Sequence, residues 1–82
     1  MSKLFNEPIT VHCKEKNPPD AFIWRRRLYR VENVIRWWRQ PAKWWDGESE
    51  KLFLMVNARN GTVGTYELYL TDGNWFLCRL LD

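Results

Sequence analysis

The sequence predicts a mainly β protein: a small antiparallel sheet of five or six strands, strongly bent or curled into a partly open barrel. Three observations carry that expectation. Residues 28–39 alternate with period two, and β-branched and aromatic side chains dominate the run. Asn60-Gly61 and Asp72-Gly73 punctuate the C-terminal half where hairpin turns would fall. Apolar and aromatic residues occur on both faces of the later segments, and a flat meander would leave one such face in water.

The elements follow in order. Residues 9–13, Ile-Thr-Val-His-Cys, alternate between Pro8 and the Pro18-Pro19 pair and read as a short strand, with a loop over 14–20. Residues 1–20 are therefore expected to form an N-terminal arm with one short strand, and 21–82 a single β domain. Residues 21–24 form a second strand. Arg25-Arg26 stands where a tight turn is needed, without glycine or asparagine to support it. In the long third run, Tyr29, Val31, Ile35 and Trp37 share one face, and Arg30, Glu32, Arg36 and Trp38 the other. A helix would mix the arginines into the apolar stripe. Pro41 stops the run, and residues 40–50 read as a loop or short helical turn around Trp44-Trp45. Residues 51–58 are apolar on both faces and read as a central strand. Residues 65–70 and 74–81 complete the sheet. In the last of these, Trp75, Leu77 and Leu81 share a face with Arg79, opposite Phe76, Cys78 and Leu80.

The tryptophans divide on the same logic. Trp37 and Trp75 are expected in the core, Trp24 at its edge, and Trp38 in the open beside Arg30 and Arg36. Trp44 and Trp45 either plug a barrel mouth together or leave one indole in solvent.

Charge is uneven along the chain. The whole of it carries +3, yet residues 1–20 sum to zero, 21–45 to +6 and 46–82 to −3. The basic third also holds five of the six tryptophans, and six of its seven cations are arginine. Guanidinium groups bind phosphate two-pronged and stack on rings, so this composition suits a nucleic-acid contact surface. The same residues also suit cation–π pairs on a solvated strand face. The candidate nucleic-acid-binding residues are Arg25, Arg26, Arg27, Arg30, Arg36, Arg39 and Lys43 for phosphates, with Trp38, Trp44 and Trp45 for stacking.

Other chemistry finds little support. His12 is the single histidine, so a zinc-type cluster lacks members, and its neighbour Cys13 should point to the opposite strand face. Glu48 and Glu50 lie in a polar loop, and residues 60–64 lack the lysine of a phosphate-binding loop. No catalytic residue, metal site or cofactor is expected. Cys13 and Cys78 fall on the first and last strands, where a barrel could bring them together; as reduced thiols they read as two small buried hydrophobes. No apolar run approaches the roughly 18–20 residues that cross a bilayer, and no signal-peptide pattern opens the chain. Cytoplasmic residence is the expectation.

One resemblance adds to this. Trp24, Arg27, Tyr29, Val31, Val34 and Trp37 form W-x-x-R-x-Y-x-V-x-x-V-x-x-W, followed by Trp44-Trp45, Tyr66-Glu67-Leu68, Trp75-Phe76-Leu77 and a closing Asp82. Over residues 21–82 this resembles a small bacterial domain family of unassigned function. Related segments stand alone or lie near the C-terminus of ImuB-type proteins, degenerate relatives of Y-family DNA polymerases. The family usually has glycine where this chain has Arg26. The resemblance implies a DNA-repair or mutagenesis setting and contact with DNA or another repair subunit. It supplies no catalytic residue. The expected function is thus a non-catalytic module contacting single-stranded nucleic acid. The alternatives are a protein-interaction module that uses exposed Trp and Arg, to which an exposed sheet edge could add a partner strand, and a structural domain without a ligand.

Overall fold

The computed structural model describes residues 3–13 and 19–81, apart from the side chains of Lys3 and Trp44. Six antiparallel strands follow one another around a closed barrel: β1 (Lys3–Cys13), β2 (Pro19–Trp24), β3 (Arg27–Gln40), β4 (Lys51–Asn60), β5 (Thr62–Thr71) and β6 (Asn74–Leu81). A 3-10 turn over Trp44–Asp46 is the only helical element among the described residues. No helix of the described residues is long and apolar enough to cross a membrane.

Closure depends on β1, which is eleven residues long rather than the five expected. Its second half pairs with β2 through Thr10↔Ile23 and Val11↔Phe22. Its first half pairs with β6 through Glu7↔Leu77, Pro8↔Phe76 and Ile9↔Trp75. The segment expected as an arm is thus a wall of the barrel. Pro8 fits within it because a register shift between Leu4 and Glu7, with Asn6 at φ 52°, already interrupts the ladder.

Up-and-down order gives the barrel two mouths. One carries the β3–β4 loop and the β5–β6 turn; the other carries the β2–β3 and β4–β5 turns. Ser49 Oγ donates to Asp72 at 3.1 Å and Thr71 Oγ1 to the Glu50 carbonyl at 3.1 Å, tying the first pair together.

The core is aromatic. Phe22 and Tyr29 stack 5.1 Å apart, and Tyr66 meets both edge-on at 5.6 and 5.3 Å. Phe22, Val56, Leu68 and Leu77 have no exposed surface, and each such burial is worth roughly 1.5–3 kcal/mol. Trp24 closes one edge as expected, and Trp75 packs against the core half-buried.

Two bulges in β3 change which residues face inward. Register shifts against β4 between Val31 and Asn33 and between Val34 and Arg36 make Glu32 and Ile35 the extra residues. Val34 takes the inward place expected for Ile35, which is 47% exposed. Trp37 regains the inward pleat opposite Leu54 but is 64% exposed, so its expected place in the core is corrected. The reason is positional: β2 pairs with β3 only from Arg27 to Arg30, so no described strand closes over Trp37. A further shift between Glu67 and Leu68 sets Arg79 opposite Glu67 and Leu80 against the core, reversing their expected faces. Cys13 is exposed and Cys78 buried, both as free thiols, so only one of them is the buried hydrophobe expected.

Candidate nucleic-acid interface

The turn between β2 and β3 holds the first arginines. Arg25 and Arg26 both have positive φ, 52° and 65°, the conformation of a two-residue hairpin turn that favours glycine or asparagine. Arg25 is committed to the fold: its Nη2 donates to Glu7 Oε2 at 2.7 Å and its Nε to Oε1 at 3.1 Å. Its guanidinium also lies 5.0 Å from the Phe5 ring centroid and 4.8 Å from that of Trp24. Its hydrogen bonds, ahead of that from Trp24, hold the Glu7 carboxyl below the usual carboxylate range. Arg26 and Arg27 are exposed at this same mouth.

Arg39, Lys43, Trp44 and Trp45 lie toward the opposite mouth. Arg39 is on the inward pleat and 3.7 Å from Glu50. The Lys43 carbonyl accepts the N–H groups of Asp46 at 2.9 Å and Glu48 at 3.1 Å, which closes the 3-10 turn. Trp45 is 67% exposed. The side chain of Trp44 lies outside the described residues. The ten residues read from the sequence therefore do not form one groove, because the length of β3 separates Arg25, Arg26 and Arg27 from Arg39 and Lys43.

What the structure does assemble is the outer wall of β3 to β6. The two bulges of β3 cancel in parity, so Arg30, Arg36 and Trp38 face outward together, as expected. Pairing then lines them up with residues of later strands. Arg30 stands directly opposite Arg59, a like-charged cross-strand pair that is unfavourable by itself. Glu32 relieves it by accepting from Arg59 Nε at 2.8 Å. Next along the wall, Asn57 Nδ2 donates to Asn33 Oδ1 at 3.1 Å and Thr65 Oγ1 to Asn57 Oδ1 at 2.9 Å. Beyond that lies the Arg36 level, where Arg79 Nε approaches Glu67 Oε2 at 3.4 Å on the neighbouring strands.

An aromatic ladder then crosses the wall. Trp38 and Phe53 stack at 5.3 Å and 2°, Phe53 tilts against Tyr69 at 5.4 Å, and Tyr69 stacks on Phe76 at 5.1 Å. Mutual cover explains why outward-facing Phe53 is buried. Cations flank the ladder: Arg36 over Trp38 at 4.7 Å and Lys51 over Tyr69 at 5.2 Å. Trp38 is consequently half-buried rather than open, and the cation–π arrangement weighed from composition is realised at Trp38 and at Trp24.

Sequence reasoning missed Lys51, Phe53, Arg59, Tyr69 and Phe76 as members of this surface. The signal was present in part, since Phe53 and Tyr69 precede and follow the Asn60-Gly61 turn at nearly equal distances. Register was needed to align them with Trp38.

This defines the class: a small closed antiparallel β-barrel whose outer wall joins guanidinium and ammonium groups to a row of rings. The chain belongs to the family described as a domain of unknown function (DUF6504), whose sequence profile matches residues 1–82. The match takes in residues 1–20, outside the resemblance drawn from the tryptophan pattern, in keeping with the part β1 plays in closure. No curated protein and no solved structure matches the chain.

Proposed function

We propose that this barrel is a non-catalytic module that contacts single-stranded nucleic acid through the outer wall of β3 and β4. The observation that supports it most is the seating of Arg36 and Lys51 against the ladder that begins at Trp38, with Arg30 and Arg59 further along the same outer wall. A phosphate between Arg30 and Arg59 would offset their mutual repulsion. Arg36 occupies the place on Trp38 that a base could take; on binding, the guanidinium would move to a phosphate and the base would stack in its stead. Contacts of this kind read little sequence. The resemblance to segments of ImuB-type proteins supports a DNA-repair or mutagenesis setting in the bacterial cytoplasm.

The test is fluorescence titration of a labelled oligothymidylate at several salt concentrations. Affinity should fall with salt at a log–log slope of about −0.7 per phosphate engaged. Arg36→Glu should weaken binding and make the slope shallower by about that amount. Absence of binding at tens of micromolar protein in about 50 mM salt would reject the proposal.

A further inference from the structure

The other side of β3 carries a separate arrangement. From Val31 onward β3 pairs with β4 on one edge only. Among the described residues, no strand takes the N–H and C=O groups of its second edge. The bulges at Glu32 and Ile35 break the regularity of the first part of that edge. Among the described residues, 36–40 remain a regular run with no partner on that second edge. Such an edge is a template for an added strand unless charge or a bulge blocks it.

The inward pleat of this run offers a side-chain seat. Trp37, Val34, Leu52 and Leu54 line a shallow, mainly apolar concavity of about 270 Å³, with Arg39 at its side. Trp and Arg are the residue types that dominate interface hot spots. Among the described residues, Arg39 is paired with Glu50 alone, at 3.7 Å with both side chains more than half exposed, a contact a better-placed acid would displace. Arg36 lies on the outward pleat of the same run. From residue 33 to residue 45 the chain contains no acid.

We propose that residues 36–40 of β3 receive an extended acidic segment of another protein as an added strand, anchored by an apolar side chain in the Trp37 concavity. Backbone bonds to the free edge supply the pairing. Acidic side chains on both faces of the added strand meet Arg39 on one side and Arg36 on the other. Charge selects this occupant over a second copy of the chain. A second copy would bring to this edge another run that carries arginines and no acid from residue 33 to residue 45, so like charges would gather along the seam. The arrangement is independent of the nucleic-acid proposal in its anchor, since Trp37 and Trp38 project to opposite faces of β3.

The experiment uses the full chain and three eight-residue peptides: one with a single central valine flanked by glutamates on both strand faces, the same peptide with lysine for glutamate, and the acidic peptide N-methylated at alternate amides. Binding is followed by tryptophan fluorescence, and hydrogen exchange of backbone amides 36–40 by NMR. The acidic peptide should bind and slow exchange in that run; the lysine and N-methylated peptides should not. Trp37→Ala should weaken binding about tenfold or more while the thermal midpoint stays near wild type, because the indole is largely in solvent. Equal binding of the N-methylated peptide would remove strand pairing from the account. A concentration-dependent dimer abolished by Trp37→Ala would assign the edge to a second copy and overturn the proposal. Protection of amides 36–40 by oligothymidylate but not by the acidic peptide would overturn it in favour of nucleic acid. Weakened oligothymidylate binding in Arg30→Glu with acidic-peptide binding retained in the same variant separates the two surfaces and upholds both.

Discussion

The indole N–H of Trp24 donates to Glu7 Oε1 at 2.9 Å, and the same carboxylate takes both forks of Arg25. One carboxylate on β1 thus locks the end of β2 and the turn after it. Glu7 titrates below the usual carboxylate range because its partners favour the charged form. A carboxyl depressed in the folded state adds stability above its unfolded value of about 4.3, and that stability is lost as pH falls through the folded value. Glu7→Gln should therefore lower the thermal midpoint at pH 7, and the gap to wild type should narrow steadily as melts are repeated below about pH 4. A gap that stays constant from pH 7 to pH 2 would contradict this assignment.

Trp24→Phe keeps the ring in the core edge but removes the donor. The expected cost is about 1 kcal/mol, with the Arg25–Glu7 pair left in place. Denaturant melts of wild type, Trp24→Phe and the double variant with Glu7→Gln would measure the coupling.

Arg26 sits at φ 65° in a turn where an L side chain is disfavoured. Arg26→Gly should stabilise the barrel, offset in part by added freedom in the unfolded chain, for a net gain of about 0.5 kcal/mol. Calorimetry should show a midpoint about 2–4 °C higher.

Gly64 has the opposite problem. A Cβ there would lie 3.1 to 3.3 Å from the Tyr66 ring, itself packed between Phe22 and Tyr29. Gly64→Ala should cost about 1–3 kcal/mol by overpacking, read as a lower denaturant midpoint with unchanged slope.

The two thiols should react in separate phases. Cys13 is exposed; Cys78 is buried, and burial ahead of its bond to Glu67 pushes its thiol upward. A thiol reagent at pH 8 should label one cysteine of the native protein promptly and the second only on unfolding. Cys13→Ser should abolish the prompt phase.

Much of the fold was legible because strand alternation is local. The strand character of β3, the Asn60-Gly61 and Asp72-Gly73 turns and the β6 boundaries all stand in the structure as read. The length of β1 was hidden because Pro8 and Asn6 read as breakers, and a bulge absorbs them. Ile35 and Arg79 were misplaced because a bulge flips the side chains that follow it until another restores the phase, and leaves no trace in the residue types. At the candidate site, the outward grouping of Arg30, Arg36 and Trp38 was legible, since the two bulges of β3 cancel and leave those residues in phase. Phe53, Tyr69 and Phe76 joined it only through the registers of three strand pairs.

The sequence by itself determined an all-β chain, its turns, and a basic, tryptophan-rich third strand. Local sterics and pleat period suffice for these. Only the tertiary structure decided that the barrel closes through β1, that Trp38 lies under Arg36 while Trp37 opens to solvent, and that the arginines divide between two mouths and a wall. Those outcomes depend on register, bulges and where β2 ends, which are set by packing between strands distant in sequence.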